Sequence, residues 1–169
     1  MAGPRAVHPG AAWLLRLLEP DATSQTLQKR FGGGFMKARD LTIADRMTRT
    51  PHLIGSEQPL SAAHELMRSN GIRHLPVLHG GKLIGIVSLR DLHLVETFRD
   101  VDPQQVRVEE AMTQDVYVVE PKTPLKEVVS EMAERKLGSA VVVDGPKVVG
   151  VFTTIDALDT LAGLLAPPE

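Results

Sequence analysis

At 169 residues, with 43% hydrophobic and 24% charged side chains, the chain has the composition of a folded globule rather than a disordered segment, and enough length for one domain or two half-sized units sharing a core. Nineteen Lys and Arg against 21 Asp and Glu leave a formal charge of -2, which gives no electrostatic case for nucleic acid or an anionic membrane. The absence of cysteine excludes disulfides, thiolate zinc sites and a cysteine nucleophile, and suits a cytoplasmic protein.

In chain order, residues 1–40 read as an extension. "AAWLLRLLEP" and "DATSQTLQKRF" each suit a short helix, the second with Asp21 or Thr23 as cap. The apolar run is interrupted at Arg16, well short of the roughly 20 residues that a membrane span needs. "FGGGF" follows as a flexible break and matches neither phosphate-loop fingerprint.

From residue 41 onward the chain is written twice. A shift of 65 aligns residues 47–93 with 112–158 without a gap, and ten positions are identical, among them Met47/Met112, Thr48/Thr113, Pro59/Pro124, Gly85/Gly150 and Asp91/Asp156. Such internal duplication dominates the organisation. Each copy opens with a short apolar stretch, "HLI" or "VYVV", read as a strand. A proline then stands where a helix begins, and "LSAAHELMRSN" or "LKEVVSEMAERK" repeats its apolar residues at helical spacing. "HLPVL" and "SAVVV" turn through "HGG" and "DGP" into "KLIGIVS" and "KVVGVFT", a hairpin in each copy. A second helix closes each copy. The unit is strand, helix, strand, strand, helix, whose small sheet covers one side of a core, so two units are expected to pack sheet to sheet. The expected divisions are an extension over 1–40, a first repeat over 41–98, a linker over 99–107 and a second repeat over 108–165.

Chemistry concentrates in "GIVSLRD" (85–91) and "GVFTTID" (150–156). Ser88 with Asp91, and Thr153 with Asp156, match a helix N-terminus at which a hydroxyl caps a backbone N–H and an acid sits in the first turn. The preceding Gly85 and Gly150 lie inside strand patterns, where a missing side chain implies close approach of something to the backbone. Both features together also suit a nucleoside phosphate: bare backbone for a flat base, hydroxyl and helix N–H groups for phosphate, and a carboxylate for the ribose diol. Simple capping and ligand binding both remain open at this level.

The duplicated unit, with "MT" before each copy, "LPVL-HGGKLIGIVSLRD" and "AVVVDGPKVVGVFTTID", resembles a tandem pair of CBS domains, a Bateman module, over roughly residues 43–165. The resemblance implies an α+β fold of two β-α-β-β-α repeats with pseudo-twofold symmetry. It implies a non-catalytic regulatory role, with AMP, ADP, ATP or S-adenosylmethionine as regulatory ligand in clefts between the repeats, no required cofactor and a homodimer. Carried over by position, Asp91 and Asp156 would hold ribose hydroxyls, Ser88 and Thr153 would contact ribose or phosphate, Ile86 and Val151 would flank the base, and Thr50 and Val116 would border the adenine pocket. Arg73 and His74 stand where relatives carry basic phosphate contacts, and Arg90 lies inside the first heptad. The second copy has Gly138, Ser139 and Ile155 at those places, so the clefts are expected to differ.

The six histidines show no metal-ligand spacing, and no metal, nucleic-acid or membrane partner is expected. Met67 and Met132 read as core filler on equivalent helices. Two rival readings are a structural dimerisation module with empty clefts, and an accessory regulator of a partner enzyme or transporter.

Overall fold

The computed structural model describes residues 40–97 and 102–166, so the helices expected before residue 40 lie outside the described part. The described residues up to Leu164 belong to one compact unit. Within that unit the chain runs through a 3-10 turn (Ile43–Asp45), β1 (Thr48–Arg49), β2 (Ile54–Gly55), α1 (Leu60–Asn70), β3 (His74–His79), β4 (Lys82–Ser88) and α2 (Leu89–Glu96). After the linker come α3 (Val108–Ala111), β5 (Val118–Val119), α4 (Leu125–Glu134), β6 (Ser139–Asp144), β7 (Lys147–Thr153) and α5 (Thr154–Leu165). The expected strand, helix, strand, strand, helix order is therefore present twice. Its first strands are shorter than "HLI" and "VYVV" suggested.

Two sheets form. In one, β2 runs parallel to β3 and β3 antiparallel to β4; in the other, β5 runs parallel to β6, β6 antiparallel to β7, and β1 joins the free edge of β7. Both hairpins slip register at the same place, between Val77 and Leu78 and between Val142 and Val143, as duplicated bulges.

The strand β1 was not foreseen, and it belongs to the wrong copy by sequence order: Thr48 pairs with Val151 and Arg49 with Gly150. The counterpart Thr113 exchanges two backbone hydrogen bonds with Ile86, of 2.9 and 2.8 Å. Each repeat is thus completed by the arm that precedes the other. Leu41, Ile43 and Met47 sit in the core of the second repeat with Val128, Met132, Val142 and Phe152. Val108, flanked by Val106, Ala111 and Met112, sits in the core of the first with Ala63, Met67, Leu75, Val77 and Val87. Met67 and Met132 are buried there as core filler.

The arms also finish the helices. Pro59 and Pro124 offer α1 and α4 no side-chain cap, so the leading N–H groups need another acceptor. The Leu60 amide donates to the Val106 carbonyl at 2.9 Å, and the Leu125 amide to the Leu41 carbonyl at 2.8 Å.

Candidate functional site

Alternation along the strands sorts the side chains. Leu75, Val77 and Val87 point into the helix-covered core of the first repeat, which leaves His74, Pro76, Ile86 and Ser88 on the opposite sheet face. Register pairs them, His74 opposite Ser88 and Pro76 opposite Ile86. The second repeat does the same with Ser139 opposite Thr153 and Val141 opposite Val151. Pro76 and Val141 are fully buried yet belong to neither helix-side cluster, and β4 and β7 touch, so these two faces meet between the sheets. All six strand residues expected at the clefts lie on that shared side.

At the end of each hairpin a capping box closes. The Asp91 Oδ2 accepts from the Ser88 amide at 2.7 Å and from its hydroxyl at 2.6 Å, and the Asp91 amide donates back to Ser88 Oγ at 3.3 Å. Thr153 and Asp156 repeat the pattern at 2.8, 2.7 and 3.4 Å. The capping reading is therefore realised at both copies. It engages one oxygen of each carboxylate, leaves Oδ1 out of the box, and fixes the side chain of a partly exposed acid.

The arm exchange decides which residues keep company. Thr50, whose amide donates to the Val149 carbonyl at 3.2 Å, stands beside β7 of the second sheet rather than beside the strands of its own repeat. Its φ of 51° places a β-branched residue in the left-handed region, a strained conformation of the kind that concentrates at functional sites. Val116 lies between Thr113, which pairs with Ile86, and Tyr117, whose carbonyl accepts from the Val141 amide at 2.9 Å. Sequence reasoning missed this crossing, although a signal existed: Met47/Met112 and Gly85/Gly150 are identities at one and the same shift, and they are the residues that touch.

Those glycines serve a different purpose from the one expected. A Cβ on Gly85 would stand 3.0 Å from Met112 Cγ and 3.1 Å from the Thr113 carbonyl oxygen; one on Gly150 would stand 3.0 Å from Met47 Cγ. The close approach to bare backbone is made by the exchanged methionine.

Electrostatically the two sets differ. Burial holds the His74 imidazole below its ordinary value of 6.5, opposed by the Asp91 carboxylate and reinforced by the Arg73 and Arg90 guanidiniums. Arg73 and Arg90 are both exposed. The His74 ring packs across the repeat boundary, its Nε2 lying 3.2 Å from where a Gly138 Cβ would be.

Other constellations carry less chemistry. Ser56 Oγ lies 3.0 Å from His79 Nδ1, but Ser56 is 1% exposed and Glu57 approaches the same ring nitrogen at 4.0 Å, so no acid orients the other nitrogen as a catalytic relay requires. A recess of about 410 Å³ between α1 and the chain entering α3 is bordered by Ser61, Glu65, Arg68 and Asp102, none of them an expected site residue. Among the described residues no cluster of His, Asp and Glu is arranged to hold a metal ion, and no helix is long and apolar enough to cross a membrane.

Comparison with known proteins bears on the same region. The family model of the CBS domain matches residues 38–95 and 108–163. The chain is 32% identical over 121 residues to an inosine-5'-monophosphate dehydrogenase of Korarchaeum cryptofilum, a match covering 71% of this chain and 23% of that enzyme. It is 25% identical over 116 residues to hypoxic response protein 1 of Mycobacterium tuberculosis, covering 68% of this chain and 81% of that one. Among solved structures, the CBS domain pair of protein MJ0100 in complex with 5'-methylthioadenosine and S-adenosyl-L-methionine aligns with a TM-score of 0.67 and 25% identity, over 73% of this chain and 98% of that one. Only the paired repeats are shared with the dehydrogenase, less than a quarter of its length.

Proposed function

We propose, since the chain belongs to the CBS domain family and carries two of its repeats in tandem, that it is a non-catalytic regulatory module of the cytoplasm whose inter-sheet clefts bind adenosine-containing ligands: AMP, ADP, ATP or S-adenosylmethionine. The observation that carries the reading is the duplicated carboxylate. Asp91 and Asp156 are each locked by a capping box beside the strand face that the two repeats turn toward one another. Such a fixed acid with an uncommitted oxygen is suited to the two adjacent hydroxyls of a ribose. Ile86 and Val151 supply apolar surface for a base, and Thr50 and Val116 are assigned to the border of the adenine pocket. The solved neighbour that holds two adenosine compounds supports this ligand class.

Ligand binding would act by favouring one arrangement of the repeats over another, since a ligand shifts only equilibria whose states it binds differently. A second copy is the expected partner, and α5 offers the surface. Ile155, Leu158 and Leu161 recur on one helical face and are 53%, 59% and 50% exposed. The equivalent positions of α2 begin with Arg90 and His93.

The test is mass spectrometry of small molecules released from freshly purified protein, with thermal melts in AMP, ADP, ATP and S-adenosylmethionine. A ligand at 100 times its dissociation constant stabilises by about 2.7 kcal/mol. An adenosine compound in the released fraction, or such a shift, is the expected result. Neither a released adenosine compound nor a shift with any of the four would leave the purely structural dimerisation module as the better reading.

A further inference from the structure

The chain contains no cysteine and six methionines, so thioethers are its readily oxidised sulfur. Met1 and Met36 lie outside the described residues. Of the other four, Met47, Met67 and Met132 are buried, at 9%, 1% and 4% exposure, whereas Met112 is partly exposed. Duplication supplies the comparison that matters. Met47 and Met112 hold equivalent places on the two exchanged arms, each with its sulfur against the bare backbone of a glycine. Met112 also packs on the core of the first repeat.

The two arms are not held equally. The first lies on β7 as a two-residue strand, and the Thr50 amide adds its bond to the Val149 carbonyl at 3.2 Å. Among the described residues the second arm meets β4 through one backbone pair, Thr113 with Ile86, at 2.9 and 2.8 Å. The place equivalent to Thr50 is Asp115, whose carboxylate pairs with Arg135 at 3.1 Å instead. The Asp115 side chain is 86% exposed, so solvent screens that pair and leaves it a weak tether. The less buried sulfur thus belongs to the more lightly held arm.

We propose that Met112 is a modification site at which a peroxide unlatches the second arm from β4. The thioether sulfur attacks one peroxide oxygen; an S–O bond forms as the O–O bond breaks, and sulfur gives up two electrons. A proton passes to the departing oxygen, so hydrogen peroxide leaves as water and Met112 becomes the sulfoxide. The product carries a polar oxygen on a side chain that had been apolar, between a glycine backbone and the repeat core. Keeping such a group packed in apolar surroundings is unfavourable, and water offers it hydrogen bonds. Turning to water takes the side chain off Gly85, and the single pair between Thr113 and Ile86 goes with it. Met47 resists on both counts, because its sulfur is buried and its arm is held along more of β7. Oxidant therefore opens the edge of the first sheet and leaves the second closed.

The experiment exposes the full-length protein to a series of hydrogen peroxide doses. Peptide mass spectrometry reports sulfoxide at each methionine, and amide exchange followed by NMR reports the arms. Met112 is expected to oxidise several-fold faster than Met47. In the oxidised protein the Ile86 and Thr113 amides are expected to exchange roughly tenfold or more faster, the scale set by a polar group in an apolar site, while the Thr50 amide is unchanged. Met112→Leu keeps the apolar contact at similar volume without an oxidisable sulfur. Peroxide is expected to leave exchange at Ile86 and Thr113 unaltered in that variant. Oxidation of Met47 as fast as Met112, sulfoxide at Met112 with unchanged exchange at Ile86 and Thr113, or loosening of these amides by peroxide in Met112→Leu would overturn the proposal.

Discussion

A Cβ added at Gly85 would meet the Met112 side chain and the Thr113 carbonyl, and one at Gly150 the Met47 side chain. Glycine at these positions lets an arm from the other repeat lie flat on the strand. Gly85→Ala is therefore expected to lower stability by about 1–3 kcal/mol through overpacking. Combining it with Met112→Ala should cost less than the sum of the two single changes, because the truncated arm makes room. Denaturant unfolding of the four proteins checks the cycle, and strict additivity would show that Met112 is not what Gly85 accommodates. At the same scale the duplication reveals a difference in helix ends. Gly71 closes α1 at φ 63°, whereas its equivalent Lys136 takes φ 56° after α4 with a side chain attached. Ser88, Asp91, Thr153 and Asp156 were legible in the sequence because a capping box is local, spanning three residues. The reason for the glycines was not, since the contacting methionine is brought in from the other repeat.

Among the elements, the exchanged arms carry the most consequence. Ile43 opens the first repeat in sequence, yet it is fully buried among the side chains of the second. Ile43→Ala is expected to cost about 2–5 kcal/mol. Hydrogen exchange should show the loosening in β5, β6 and α4, with β3 and β4 far less affected. Protection lost first from β3 and β4 would contradict the crossing. Val108 plays the mirrored part in the first core. Helices α1 and α4 were readable from apolar spacing and their leading prolines, and the hairpins from alternation about their glycine turns. The two-residue strand β1 was not, because it is too short to show a period. What makes it a strand is the edge of a sheet that already exists.

For the molecule as a whole, the unequal helices α2 and α5 bear on assembly. A stripe of Ile155, Leu158 and Leu161 at the surface is favourable to cover and has no apolar counterpart at Arg90 and His93. The expected homodimer therefore buries α5 against α5 of a second copy. Leu158→Glu should convert it to a monomer in sedimentation or light scattering, while Leu94→Glu, on the exposed face of α2, should not. A dimer unaffected by Leu158→Glu would place the interface elsewhere.

By itself the sequence determined the duplicated unit, its family, the hairpins and the two capped carboxylates, because each of these is written in spacing over a few residues or in repetition at a constant shift. Tertiary structure alone decided that Thr50 bonds to Val149 of β7, that the Met112 arm lies on Gly85, and that His74 meets Gly138 across the boundary. Those contacts join residues dozens of positions apart, and a chain with two near-identical halves carries no local mark of which arm closes which core. Packing settles it: an arm too short to bury Ile43 or Val108 alone is stabilised only where a sheet edge and an uncapped helix N-terminus await it.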